Sequence, residues 1–391
     1  MIAFTFPGQG SQRPGFGEAW TGHPSWELVE EATGAAGRDV AHLLLHAEAE
    51  ELQETRNAQL ATYVASMVAL DAVERLGVSP ALVAGHSLGE YSALTAAGVV
   101  SFEEGVRLVV ERGEAMQRAA DERAGSMASV LGLDEDQVAV ACARAGGDVW
   151  AANYNAPGHT VVAGTPEGLE SAKVVAKELG ARKVVPLKVG GAFHSPLMAG
   201  ARDRLAKALD APVWRDADTP VVTNVDAMVH REASGWEDLL LAQLCTPVRW
   251  RQSVAALVEE GVTKLIELGP GNVLTGLAKR CAPDARALSV STPDDLVGLV
   301  EDLAGPGPYQ GRIGEHVAID ARLVLAPTAG VFQRHTHHEH GALVEPGAVV
   351  GHVGDEPVHS AFAGRFAGFL ALDLERVTPS QPVAWLAVDG A

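Results

Sequence analysis

The chain opens with Met1-Ile2-Ala3-Phe4-Thr5-Phe6, a short apolar run that reads as a strand. Similar runs recur at Ala81-Leu82-Val83-Ala84-Gly85 and at Lys264-Leu265-Ile266-Glu267-Leu268, the latter closed by Gly269-Pro270-Gly271. Longer stretches with helical periodicity separate them, one starting at Glu90 and another running from about Phe102 to Ala120. Apolar strands alternating with helices predict an α/β fold with a mainly parallel sheet.

The pattern changes after Gly125. Strand 126–131, helix 135–145, strand 149–154, strand 160–164, helix 166–179 and strand 181–188 follow one another. This βαββαβ order predicts a ferredoxin-like subdomain at 126–189, inserted into a core built from 1–125 and 190–300. Gly305-Pro306-Gly307-Pro308 marks a linker over 301–311. From 312 to 391 helical periodicity is lost and an internal repeat begins. Ala326-Pro327-Thr328-Ala329-Gly330-Val331-Phe332 echoes Ser360-Ala361-Phe362-Ala363-Gly364-Arg365-Phe366, and Val344-Glu345-Pro346-Gly347 echoes Val377-Thr378-Pro379-Ser380. Two copies of short strands and tight turns predict a small all-β domain with internal twofold symmetry.

Composition narrows the functional classes. With 30 basic and 50 acidic residues the net charge is −20, which argues against a nucleic-acid partner. No apolar run is long enough for a membrane span, and the start lacks a signal-peptide pattern. Cys142, Cys245 and Cys281 are scattered, with neither disulfide nor metal spacing, and fit a reducing cytoplasm.

Gly85-His86-Ser87-Leu88-Gly89 is a G-x-S-x-G segment between a predicted strand and a predicted helix. Glycines permit the tight turn that lifts a serine hydroxyl above the sheet of a hydrolase-like core, and the Leu88 amide can stabilise an oxyanion there. Serine needs a base. His194, just before the helix N-cap and N1 pair Ser195-Pro196, is the candidate, with a core or capping histidine as the alternative, and the positive helix end is expected to keep its ring neutral. His86 is assigned to packing. Arg112 sits with Leu108, Ala115 and Met116 on one helix face, and its planar fork suits a carboxylate. The alternative for Arg112 is a surface pair with Glu111 or Glu114.

These segments together resemble the malonyl-CoA:acyl carrier protein transacylases and the acyltransferase domains of polyketide synthases. The resemblance extends through Phe6-Pro7-Gly8-Gln9-Gly10-Ser11-Gln12, Ala192-Phe193-His194-Ser195, Thr223-Asn224-Val225-Asp226, Gln243-Leu244, Pro247-Val248-Arg249-Trp250 and Glu267-Leu268-Gly269-Pro270-Gly271. It implies a Ser87–His194 dyad whose histidine is oriented by a carbonyl oxygen at Gln243, with the amides of Gln9 and Leu88 as oxyanion hole. It further implies that Arg112 holds the free carboxylate of a malonyl group. The expected reaction is ping-pong transfer from malonyl-CoA to the phosphopantetheine thiol of an acyl carrier protein. It uses no cofactor of its own and serves fatty acid or polyketide synthesis. Such carriers are acidic, so docking calls for a local basic patch, for which Arg182, Lys183, Lys188, Arg202 and Arg204 are candidates, with an ordinary solvated face as the alternative.

Residues 322–389 resemble a biotinyl/lipoyl carrier domain, a flattened barrel of two similar halves. The family's modified lysine lies on a hairpin between the halves; here that place is Gly354-Asp355-Glu356-Pro357, and no lysine follows Lys279. The expectation is a module that docks another protein or serves the structure. His335, His337, His338 and His340 crowd one predicted loop, and without cysteine or helical spacing a solvated loop is preferred to a metal site. The rival readings are a serine hydrolase or thioesterase, which shares the elbow, and a non-catalytic scaffold.

Overall fold

A computed structural model of the protein describes residues 1–304, 321–335, 340–361, 363–379 and 381–387. The chain divides into two compact units, Met1–Leu299 and Val300–Ala391.

The first unit is built on a six-stranded sheet in the order Arg286–Val290, Lys264–Leu268, Ile2–Phe6, Leu82–Gly85, Val221–Val222, Val229–His230. All neighbours are parallel except the last pair. Ile2–Phe6 and Leu82–Gly85 are buried almost throughout, which explains why they read as continuous apolar runs rather than alternating ones. Phe6 lies opposite Gly85, so the loops that leave these two strands emerge side by side. Helix Phe102–Glu122 starts from a Ser101/Glu104 capping box and packs along Thr55–Glu74, a helix buried over nearly its whole length.

Residues 126–186 form a separate four-stranded antiparallel sheet, ordered Val149–Ala156, His159–Gly164, Ser126–Leu131, Lys183–Pro186. Helices Glu135–Ala145 and Pro166–Glu178 pack on it over Val130, Val138, Val162 and Ala172. The order of strands and helices follows the pattern read from the sequence. A register shift between Ala151 and Asn153 lets this sheet join the rest of the unit, where Val248 bonds to Ala152 and Tyr154.

From Ala321 onward the described part of the second unit consists of two four-stranded sheets. One runs Ala321–Leu325, Pro382–Ala387, Gly364–Phe369, Leu343–Val344; the other runs Glu356–His359, Val349–Val353, Gly330–Arg334, Arg376–Val377. Moving each strand four places along the eight-strand series converts the first order into the second. The internal repeat is therefore a repeat of strands that exchanges the two sheets. Between the halves, Gly354 and Asp355 alone connect Val353 to Glu356. Helix Asp295–Ala304 extends four residues into the stretch assigned to the linker; the rest of that stretch, including Gly305-Pro306-Gly307-Pro308, lies outside the described residues. Among the described residues no helix is long and apolar enough to cross a membrane.

Candidate active site

The elbow is dictated by contact distances. A Cβ on Gly85 would stand 1.8 Å from the carbonyl oxygen of Gly89, and one on Gly89 would stand 2.0 Å from that of Phe6. Between them Ser87 adopts φ 54°, in the left-handed region. Asn224 braces the turn from outside: its Oδ1 accepts from the Ser87 amide (2.7 Å) and its Nδ2 donates to the Gly85 carbonyl (2.6 Å).

Ser87 Oγ lies 2.7 Å from His194 Nε2, although the two residues are 107 positions apart. On the other side of the ring, Nδ1 lies 2.8 Å from the main-chain oxygen of Gln243. A carbonyl oxygen only accepts, so Nδ1 carries the hydrogen and Nε2 turns its lone pair to the serine hydroxyl. His194 is 3% exposed, and its pKa is pushed down to about 3, first by burial and then by the Arg112 charge. The ring is thus a neutral acceptor across the ordinary pH range. The expected cause needs correcting. The segment after His194 begins as a 3-10 helix, Pro196–Ala201, capped by Ser195, and burial is the first cause of the shift.

Arg112 is 1% exposed and is not a surface residue. Glu111 pairs with Arg204 and Glu114 with Arg56, which disposes of the surface-pair alternative. Its guanidinium donates to Gln59 Oε1 (2.7 Å), Gln243 Oε1 (2.8 Å) and Ser87 Oγ (3.3 Å), and lies over the Tyr91 ring. Arg112 Nε has no hydrogen-bond partner among the described residues. The fork therefore ends beside the serine hydroxyl, where an anionic group on a bound acyl chain would meet it.

The loops that carry Gln9 and Leu88 approach each other because their parent strands are neighbours. Gly8 permits this approach, since a Cβ there would sit 2.6 Å from the His86 carbonyl oxygen. The amides of Gln9 and Leu88 have no hydrogen-bond partner among the described residues. Ser87, His194 and Gln9 border a cavity of about 590 Å³ whose far walls carry Met127, Leu187 and Leu274. His86 packs edge-on against Trp250, bonds to Asn155 and also borders the cavity.

Three polar residues of the site had no role in the sequence reading. Gln59 holds Arg112, while Asn224 and Glu90 lie beneath the elbow. A signal existed for Gln59, a polar residue opening an otherwise apolar helical run. Of the basic candidates, Arg182, Lys183, Lys188 and Arg202 are exposed, whereas Arg204 is committed to Glu111. In the histidine run, His335 and His340 are described and His337 and His338 lie outside the described residues. No cluster of three metal-ligating side chains occurs among the described residues.

Comparison with known proteins gives the family. The family model for the acyl transferase domain matches residues 3–300. The malonyl CoA-acyl carrier protein transacylase of Bacillus subtilis (strain 168) is 42% identical over 307 residues, covering 77% of this chain and 97% of that relative. The enzyme of the same name from Escherichia coli (strain K12) is 42% identical over 309 residues, covering 77% and 99%. A solved structure of a type II polyketide synthase acyl carrier protein in complex with its malonyl-transacylase superposes with a TM-score of 0.74 at 38% identity, covering 77% of this chain and 99% of that one. The chain therefore belongs to the acyl transferase family, among the malonyl-CoA:acyl carrier protein transacylases.

Proposed function

We propose that the chain transfers a malonyl group from malonyl-CoA to the phosphopantetheine thiol of an acyl carrier protein through an ester on Ser87. In the first half-reaction Ser87 Oγ attacks the thioester carbonyl while His194 Nε2 takes its proton. The carbon–sulfur bond then breaks, and the imidazolium returns the proton to coenzyme A sulfur. In the second half-reaction the carrier thiol gives its proton to Nε2 and its sulfur attacks the ester, after which Oγ recovers the proton. The tetrahedral oxyanion of each step is received by the amides of Gln9 and Leu88. Gln243 keeps the imidazole in the required tautomer, and Arg112 receives the free carboxylate of the malonyl group.

The observation that carries this reading is the convergence on one oxygen. Ser87 Oγ has His194 Nε2 at 2.7 Å and Arg112 Nη2 at 3.3 Å, a base and a carboxylate receptor at the same atom. No bound cofactor enters any step. The free state of Cys142, Cys245 and Cys281 supports a cytoplasmic setting. We read residues 126–189 as a ferredoxin-like subdomain within the acyltransferase core of 1–125 and 190–300, and 312–391 as a biotinyl/lipoyl-like barrel. The exchange of two sheets by the internal repeat supports the latter. Without a lysine at its Gly354-Asp355 tip it serves as a docking or structural module.

The test is intact mass measurement after exposure to malonyl-CoA. The protein gains one malonyl group, Ser87→Ala gains none, and added holo acyl carrier protein removes the label. An undiminished label on Ser87→Ala refutes the ester, and release of free malonate faster than transfer makes the protein a hydrolase.

A further inference from the structure

Beneath the elbow lies a buried acid that none of these steps uses. Glu90, in the first turn of helix Gly89–Ala96, is 1% exposed. Its Oε1 accepts from the Asn224 amide (3.0 Å) and its Oε2 from Gln243 Nε2 (2.5 Å). Both oxygens face N–H donors, so a carboxylic O–H would find no acceptor among these partners, and the geometry is that of an ionised carboxylate. Burial opposes that charge and pushes the pKa up to about 7. A buried charge of this kind is a poor way to add stability, since a packed neutral group of the same volume does as well or better.

Its partners explain what the charge accomplishes. Asn224 is the residue that braces Ser87. Gln243 donates Nε2 to Glu90 and to the Ser87 carbonyl (2.9 Å), which turns its Oε1 to Arg112 Nη2. Carboxylates only accept and guanidinium only donates, so the orientation of this amide follows from the chemistry of its two neighbours. The same residue holds His194 through its main-chain oxygen.

We propose that Glu90 is a positioning residue for malonyl selectivity: its carboxylate orients the Gln243 amide, and that amide aims Arg112 at the free carboxylate of the substrate. This rests on the roles assigned above to Ser87 and Arg112. In Glu90→Gln, one acceptor becomes an NH2 group facing an N–H donor. The strain is relieved by turning Gln243, which then presents its own NH2 to the guanidinium.

The experiment measures Ser87 acylation by malonyl-CoA and by acetyl-CoA in the full chain. In Glu90→Gln the malonyl-to-acetyl ratio of kcat/KM falls about 10-fold or more, as expected when a hydrogen bond to a charged group is lost. A role in folding alone would reduce both substrates equally. A folded Glu90→Gln with the ratio of the parent protein overturns the proposal. Should that variant not fold, Gln243→Ala keeps the main-chain oxygen for His194 and removes the amide; the ratio falls in the same way, and an unchanged ratio overturns the proposal. The two claims separate cleanly. A parent protein that malonyl-CoA leaves unlabelled defeats the acyl-transfer reading, whereas a labelled parent with unaltered ratios in the variants defeats only the assignment of Glu90.

Discussion

The interiors of the two units are made differently. Around the elbow, Gln59, Glu90, Arg112, His194, Asn224 and Gln243 are all buried, and each is hydrogen-bonded to another polar group. The core of the second unit consists of Val324, Phe332, Val350, Val383, Leu386 and similar residues, with Ser360 the one buried polar residue there among the described residues. Burying polar groups costs stability unless they are paired, and the first unit nonetheless buries many, Asn57 and Glu267 as well as the cluster at the elbow. The contrast teaches where to look for chemistry: in the interior that carries costly groups, not in the one packed for stability.

Three changes break or sharpen that contrast. His194→Ala removes the base and is expected to slow Ser87 malonylation about 10²- to 10⁴-fold, read by quenched-flow mass measurement. In the parent protein the imidazole adds no inflection to the acylation rate between pH 5 and 8. With its pKa near 3 the ring is already deprotonated there, so lowering the pH to 5 does not switch it off. An inflection in that window present in the parent protein and retained in Glu90→Gln, where Glu90 cannot titrate, would contradict the buried neutral ring.

Arg112→Ala comes next. It is expected to lower kcat/KM for malonyl-CoA by about 10- to 100-fold while acetyl-CoA suffers less. Equal losses for the two would remove Arg112 from recognition. The smallest effect on chemistry is expected from Phe332→Ala, fully buried in the second unit. It should weaken that unit by about 3–5 kcal/mol in thermal unfolding, yet leave the malonylation rate of Ser87 within twofold. A parallel fall in that rate would mean that the second unit supports the active site.

The legibility of the sequence follows the same division. Gly85 and Gly89 were readable because backbone atoms stand where their side chains would be, and no other residue fits. The strands at Ile2–Phe6 and Lys264–Leu268 were readable because both their faces are covered. The strands and helices of 126–186 follow the order read from the sequence, with ends that differ by only a few residues. Gln59 and Glu90 were not assigned roles, because their work is set by partners 53 and 153 positions away, and no local pattern encodes such distances. Burial as the first cause of the His194 shift was not legible for a related reason. A helix start is visible in sequence, whereas the depth at which a ring is buried is not.

The bent backbone at the reactive pair carries one more implication. Ser87 at φ 54° and His194 at φ 56° both occupy a conformation that branched side chains avoid. Threonine, the nearest chemical kin of serine, is therefore barred from position 87 by shape before its reactivity is ever consulted. Histidine, in contrast, is among the few residues that enter this region with ease. The turn thus acts as a filter on the genetic alphabet, admitting a primary alcohol where a secondary one would strain.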